Sequence, residues 1–169
     1  MIIDQDFINN ILPSLKETVI DASKVIMEVY DSDSFDTEIK DDGSPVTKAD
    51  NLANNIILKS LSAITPDLPI ISEETFNPDI LQPVGPYWLV DPLDGTKGFI
   101  NKDGNFTVNI ALAESQESSV DNLFHIGKMN SHDKNFALYF KTRDKAILAR
   151  GENFNYITDF PQDLYIYDY

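Results

Sequence analysis

The sequence predicts an α+β fold, with two long N-terminal helices packed on a mainly antiparallel β-sheet. Apolar residues recur at helical spacing through residues 4–30 and again through 47–64. From residue 68 onward the texture changes to short apolar runs and strict alternation, punctuated by Pro and Gly. Helices first and strands afterwards is the element order of an α+β chain. At 169 residues the chain is one domain in size, large enough to bury roughly 70% of the surface it exposes unfolded.

The first helix is read from Phe7, Ile8, Ile11, Leu12, Leu15, Val19, Ile26 and Met27, between Asp4 and Tyr30. Pro13 falls inside the pattern, so the helix either starts near it or bends there. Asp31 to Ser44 is polar and is read as a loop closed by Gly43-Ser44-Pro45. Thr47-Lys48-Ala49-Asp50 fits a capping box, with Thr47 as N-cap and the Asp50 carboxylate three positions on. Ala49, Leu52, Ala53, Ile56, Ile57, Leu61 and Ile64 carry the second helix, which Pro66 stops. Leu68 to Ile71 is a short strand that ends in Ser72-Glu73-Glu74, and Tyr87 to Val90 is a buried strand. Phe106, Val108, Ile110 and Leu112 alternate with Thr107, Asn109 and Ala111, a period of two. Residues 136–141 and 145–150 form a hairpin around Thr142-Arg143-Asp144. The expected division is a metal-binding α+β domain over 1–150 and a tail of undecided structure over 151–169.

Composition narrows the function. Thirteen Lys and Arg against 28 Asp and Glu give a net charge of −15. No basic run offers a footprint for a nucleic acid polymer, and an anionic membrane surface would repel the chain. No apolar run is long enough to insert in a membrane. The N-terminus lacks the basic and apolar regions of a signal peptide, so a cytoplasmic location is expected. With no cysteine and only His125 and His132, thiolate and histidine-rich metal sites are excluded. An anionic substrate would need a bound cation to meet so acidic a protein.

The densest chemical signal is Asp91-Pro92-Leu93-Asp94-Gly95-Thr96, directly after the buried strand. A tight turn there would aim the Asp91 and Asp94 carboxylates at one point with the Leu93 carbonyl between them, hard oxygen donors that suit Mg²⁺. Gly95-Thr96-Lys97 would open a turn or short helix whose N–H groups hold a phosphate. The same segment also makes an ordinary surface turn, Glu73-Glu74 an ordinary strand end, and Asp50 an ordinary cap. Position separates the readings: if the two strands are neighbours, Glu73 and Asp91 face one site. Carboxylates about 5 Å apart repel by roughly 3 kcal/mol per pair at an effective dielectric of 20, so such a group calls for a divalent cation or a proton. His125 and His132 lie in a polar stretch without ligand spacing and receive no role.

Together, residues 43–50, Ile71-Ser72-Glu73-Glu74 and residues 88–97 resemble the lithium-sensitive, magnesium-dependent phosphatases related to inositol monophosphatase. Gly95-Thr96-Lys97 and residues 106–112 look most like the 3′(2′),5′-bisphosphate nucleotidase (CysQ-like) branch. The resemblance implies the N-terminal half of an αβαβα sandwich, two or more Mg²⁺ ions, inhibition by Li⁺, and hydrolysis of 3′-phosphoadenosine 5′-phosphate to AMP and phosphate. It implies that Glu73, Asp91 and the Leu93 carbonyl hold one Mg²⁺, and that Asp91 and Asp94 share a second. Asp50, Glu73 and Thr96 become catalytic, with Asp50 orienting the Thr96 hydroxyl. Glu73 and residues 93–96, that is Leu93, Asp94, Gly95 and Thr96, meet the substrate, and the loop carrying Lys40 closes over it.

The family's second half carries a Trp-Asp motif that completes the second metal site. Here the one tryptophan, Trp88, is followed by Leu89. Two alternatives therefore stand beside the nucleotidase: a truncated or degenerate metal-binding paralogue without turnover, and a phosphatase acting on an inositol phosphate. The expected partner is a small-molecule phosphate ester. A sheet face left uncovered where the absent half would pack is expected to favour homo-oligomers.

Overall fold

The computed structural model describes residues 3–32, 36–39, 43, 45–77, 83–116, 119–129, 136–142 and 145–151. Helix α1 runs Gln5–Tyr30. Asp4 caps it, its Oδ1 accepting from the Phe7 N–H at 2.8 Å, a bond that satisfies one of the donors a helix start leaves unpaired. Pro13 is inside the helix rather than at its start, on the solvent-facing side, where losing one helical N–H is best tolerated. The opposite side buries Ile8, Leu12, Leu15, Val19, Ala22 and Ile26.

Part of the segment read as loop forms a small ribbon, β1 (Glu38–Ile39) antiparallel to β2 (Pro45–Val46). Strands of two residues leave no periodic trace in a sequence. Lys40 lies outside the described residues, as do Arg143, Asp144, His132 and the tail from 152 onward.

Helix α2 spans Lys48–Ile64 behind the capping box expected of Thr47 and Asp50. It lies beside α1, tied to it through the Thr18 and Ser60 hydroxyls. Thr65 ends the helix. Its hydroxyl donates to the Leu61 carbonyl at 3.2 Å and accepts from the Trp88 indole N–H at 2.8 Å, so the largest buried side chain in the core has its one polar atom satisfied.

The sheet comprises β3 (Ile70–Ser72), β4 (Gly85–Asp94), β5 (Thr107–Gln116), β6 (Ser119–Met129), β7 (Phe136–Thr142) and β8 (Lys145–Gly151), in that spatial order. β3 and β4 are parallel, and every later pair is antiparallel. Trp88 and Val90 on β4 stand opposite Leu112 and Ile110 on β5, and these four side chains are buried in one cluster with those of α1 and α2. The helices thus cover one face of the sheet, and the alternation of Phe106, Val108, Ile110 and Leu112 marks that face. Strand β6 was not legible as a strand. A bulge leaves Leu123 without a partner between the pairs Leu112↔Phe124 and Ala113↔Asn122, which breaks the period of two on which recognition depends. His125 therefore sits within a strand, paired with Ala111 and Tyr139.

Candidate metal and phosphate site

The site begins with the parallel pairing of β3 and β4. Ser72 lies opposite Val90, so Glu73 and Asp91, each the next residue along, emerge at the same end of neighbouring strands. Glu73 begins a three-residue 3₁₀ turn, Glu73–Thr75. Its carboxylate stands against that of Asp91 and opposes its ionisation.

Asp91 to Asp94 is not the terminal turn that the motif suggests, because β4 continues through Asp94. A bulge lies between the pairs Asp91↔Asn109 and Asp94↔Thr107, two residues on β4 against one on β5. In a regular strand positions three apart point to opposite faces. The extra residue cancels that alternation, so Asp91 and Asp94 share the face of Thr107 and Asn109, away from the helices. Gly95 then makes the turn at φ +92°. A Cβ there would lie 2.6 Å from the Asn105 carbonyl oxygen, so both conformation and space call for glycine. Helix α3, Thr96–Ile100, follows, its first N–H groups uncapped by any side chain at Gly95.

Asp50 faces this turn from α2. It is 1% exposed and fully engaged. Its Oδ2 accepts from the Thr47 N–H at 2.8 Å and the Thr47 hydroxyl at 2.6 Å, and its Oδ1 accepts from the Thr96 hydroxyl at 3.2 Å. The Thr96 hydroxyl is shared with the Leu93 carbonyl, also at 3.2 Å. Asp50 therefore caps its helix and holds Thr96 at once.

Electrostatics single out Asp91. Burial, then the Glu73 and Asp94 charges, push its carboxyl up to about 7, against an opposing hydrogen bond from the Leu93 backbone. Its Oδ1 is buried and has no hydrogen-bond partner. An orphaned carboxylate oxygen between two further carboxylates fits a hard cation. Among the described residues no three acidic or imidazole groups form a single enclosing cluster. The strand order accounts for this: Glu73 approaches Asp91 from β3, whereas Asp94 leans toward β5, accepting from Asn109 Nδ2 at 3.3 Å. The donors form a row centred on Asp91, a layout suited to Mg²⁺, which takes few protein ligands and keeps its waters.

The structure thus brings together Glu73 with Asp91, Asp91 with Asp94, and Asp50 with Thr96 and Leu93. Among the described residues these pairs do not close into one three-carboxylate cluster. Sequence reasoning missed Asn109, which follows Thr107 on the face away from the core, and the buried pair in which the Ser72 hydroxyl donates to Asn54 Oδ1 at 2.7 Å. The available signals were two polar residues of one parity in β5, and a polar residue one helical turn beyond Asp50.

Known proteins match this architecture. A 3′(2′),5′-bisphosphate nucleotidase CysQ from Buchnera aphidicola is 49% identical over 115 residues, which cover 64% of this chain and 43% of that protein. The chain thus spans less than half the length of that relative. The crystal structure of CysQ from Bacteroides thetaiotaomicron, a bacterial member of the inositol monophosphatase family, superposes with a TM-score of 0.59 at 26% identity, covering 88% of this chain and 51% of that one. A staphylococcal inositol monophosphatase in a lithium-soaked inhibitory complex superposes with a TM-score of 0.65 at 19% identity, over 88% and 52% of the two chains, a likeness of fold. Among the described residues no helix is long and apolar enough to cross a membrane. The model of the inositol monophosphatase family matches residues 9–121 of the 169, and the protein belongs to that family.

Proposed function

We propose that this chain carries the metal- and phosphate-binding part of a Mg²⁺-dependent phosphatase that converts 3′-phosphoadenosine 5′-phosphate to AMP and inorganic phosphate. The observation that carries the reading is the buried, unpartnered Asp91 Oδ1 beside Glu73 and Asp94. Glu73, Asp91 and the Leu93 carbonyl would hold one Mg²⁺, and Asp91 with Asp94 a second. Bound there, the cations would draw in the phosphate oxygens and make a bound water acidic at neutral pH.

The chain's own groups do the rest. The Thr96 hydroxyl turns its proton toward Asp50 Oδ1 and the Leu93 carbonyl, which leaves its lone pairs to accept a hydrogen from the attacking water and aim it. Asp50 fixes that rotor from a buried, fully bonded position. Backbone groups from Leu93 to Thr96 hold the phosphate, with Gly95 allowing the chain to turn beneath it. The nucleotide substrate is supported by the likeness to bisphosphate nucleotidases, and Li⁺ inhibition by the lithium-soaked relative.

A second reading, metal binding without turnover, is favoured by one feature. The only tryptophan, Trp88, serves the core, its indole bonded to Thr65, so it supplies no further metal-ligand motif. The experiment that separates the readings measures phosphate released from 3′-phosphoadenosine 5′-phosphate and from an inositol monophosphate, with Mg²⁺, with EDTA and with added Li⁺. Faster, Mg²⁺-dependent and Li⁺-inhibited release from the nucleotide supports the first reading. Mg²⁺ binding with no release from either substrate replaces it with the second.

A further inference from the structure

Resting on the metal site proposed above, we propose that Asn109 determines which cation Asp94 accepts, favouring Mg²⁺ over Ca²⁺. Asn109 is the cross-strand partner of Asp91. Its Nδ2 donates to the Thr107 hydroxyl oxygen at 2.8 Å and to Asp94 Oδ2 at 3.3 Å. An amide nitrogen has two N–H groups, and these two bonds use both. The orientation of the amide is fixed chemically, because a carboxylate only accepts and the amide oxygen would repel it.

The consequence falls on Asp94. Its side chain is exposed, so packing does not set its rotamer, and the Asn109 hydrogen bond orients it. With Oδ2 held by Asn109, Asp94 has one oxygen left uncommitted to that bond and would act as a one-oxygen ligand. Mg²⁺ prefers near-ideal octahedral geometry with single oxygens and retained waters, whereas Ca²⁺ takes six to eight oxygens and readily uses both of a carboxylate. Thr107 completes the device: its bond to the second N–H keeps the amide from rotating away when a cation arrives. Asn109 is thus a positioning residue that acts through Asp94.

Calorimetric titration of the purified chain with Mg²⁺ and with Ca²⁺, compared with Asn109→Ala and Asn109→Leu, tests this directly. The ratio of Mg²⁺ to Ca²⁺ affinity is expected to fall about fivefold to tenfold in both variants, as loss of one long, solvent-exposed hydrogen bond implies. Melting temperatures in EDTA should stay within about 2 °C of the parent, because Asn109 is only half-buried and lies on the sheet face away from the helices. Asn109→Leu fills the volume that Ala vacates, so a packing defect in the first variant does not obscure the answer. An unchanged ratio overturns the inference, even if both affinities drop together. If the parent chain binds neither cation, the metal site itself is refuted and the inference falls with it.

Discussion

Asp91→Asn should separate metal binding from folding. The substitution keeps the shape and removes the charge that Glu73 and Asp94 oppose. At pH 8 the Asp91 carboxyl, pushed up to about 7, is ionised in the parent, so the metal-free protein holds adjacent carboxylates with no counter-charge. Coulomb repulsion near 3 kcal/mol per pair is an upper figure, and solvent around the exposed Glu73 and Asp94 screens most of it. Relief of about 1 kcal/mol is therefore expected, and Asp91→Asn in EDTA should melt about 3 °C above the parent. Mg²⁺ should act the other way. A ligand at one hundred times its Kd stabilises by about 2.7 kcal/mol, a rise of about 8 °C for a domain of this size. The parent should show that rise in a thermal melt between EDTA and saturating Mg²⁺, and Asp91→Asn less than about 2 °C of it. An intact Mg²⁺ response in Asp91→Asn, or a variant that melts well below the parent in EDTA, would refute the reasoning.

Four further outcomes follow from the same geometry. A carboxyl raised in the folded state favours its protonated form there, so the stability Asp91 contributes without metal is complete below about 4 and lost as pH rises to about 7; melts in EDTA across that window should show the decline. Mg²⁺ affinity, measured by calorimetry, should climb up to about tenfold per pH unit through the same range and level off above 7, since binding displaces the proton. Gly95→Ala places a Cβ 2.6 Å from the Asn105 carbonyl oxygen at a positive φ and should lose about 2–3 kcal/mol in urea unfolding. Thr96→Val strips a donor from the buried Asp50 at a cost of about 1–3 kcal/mol and should abolish phosphate release, while Thr96→Ser restores both stability and release.

The helices were legible because their signals are local. Thr47 announces the start of α2 and Pro66 its end, and the apolar stripe of each helix repeats for several turns, whereas Pro13 leaves the start of α1 open. The hairpin of β7 and β8 was equally local, its register closing at Thr142↔Lys145 across two residues. What escaped depended on pairing between distant segments. The bulge that turns Asp91 and Asp94 to one face exists only because β5 lies alongside, and β6 was hidden by a bulge of its own. For the same reason the acidic residues of the site were readable as residue types, whereas the row they form, and the Asn109 amide beside it, required the register. Asp50 carries two roles in one residue: the capping box is visible in four letters, whereas its bond to Thr96, 46 positions along the chain, is expected only from the family resemblance.

The central claim is that Asp91 Oδ1 is the inner ligand of a hard dication. Crystals of the chain grown with Mn²⁺ in place of Mg²⁺ allow an anomalous difference map to locate the ion without reference to activity. A peak about 2.1 Å from Asp91 Oδ1, with Glu73 or Asp94 oxygen also coordinated, is the predicted result. A map with no peak beside Asp91, both of whose carboxylate oxygens are instead hydrogen-bonded to protein or water, would contradict it.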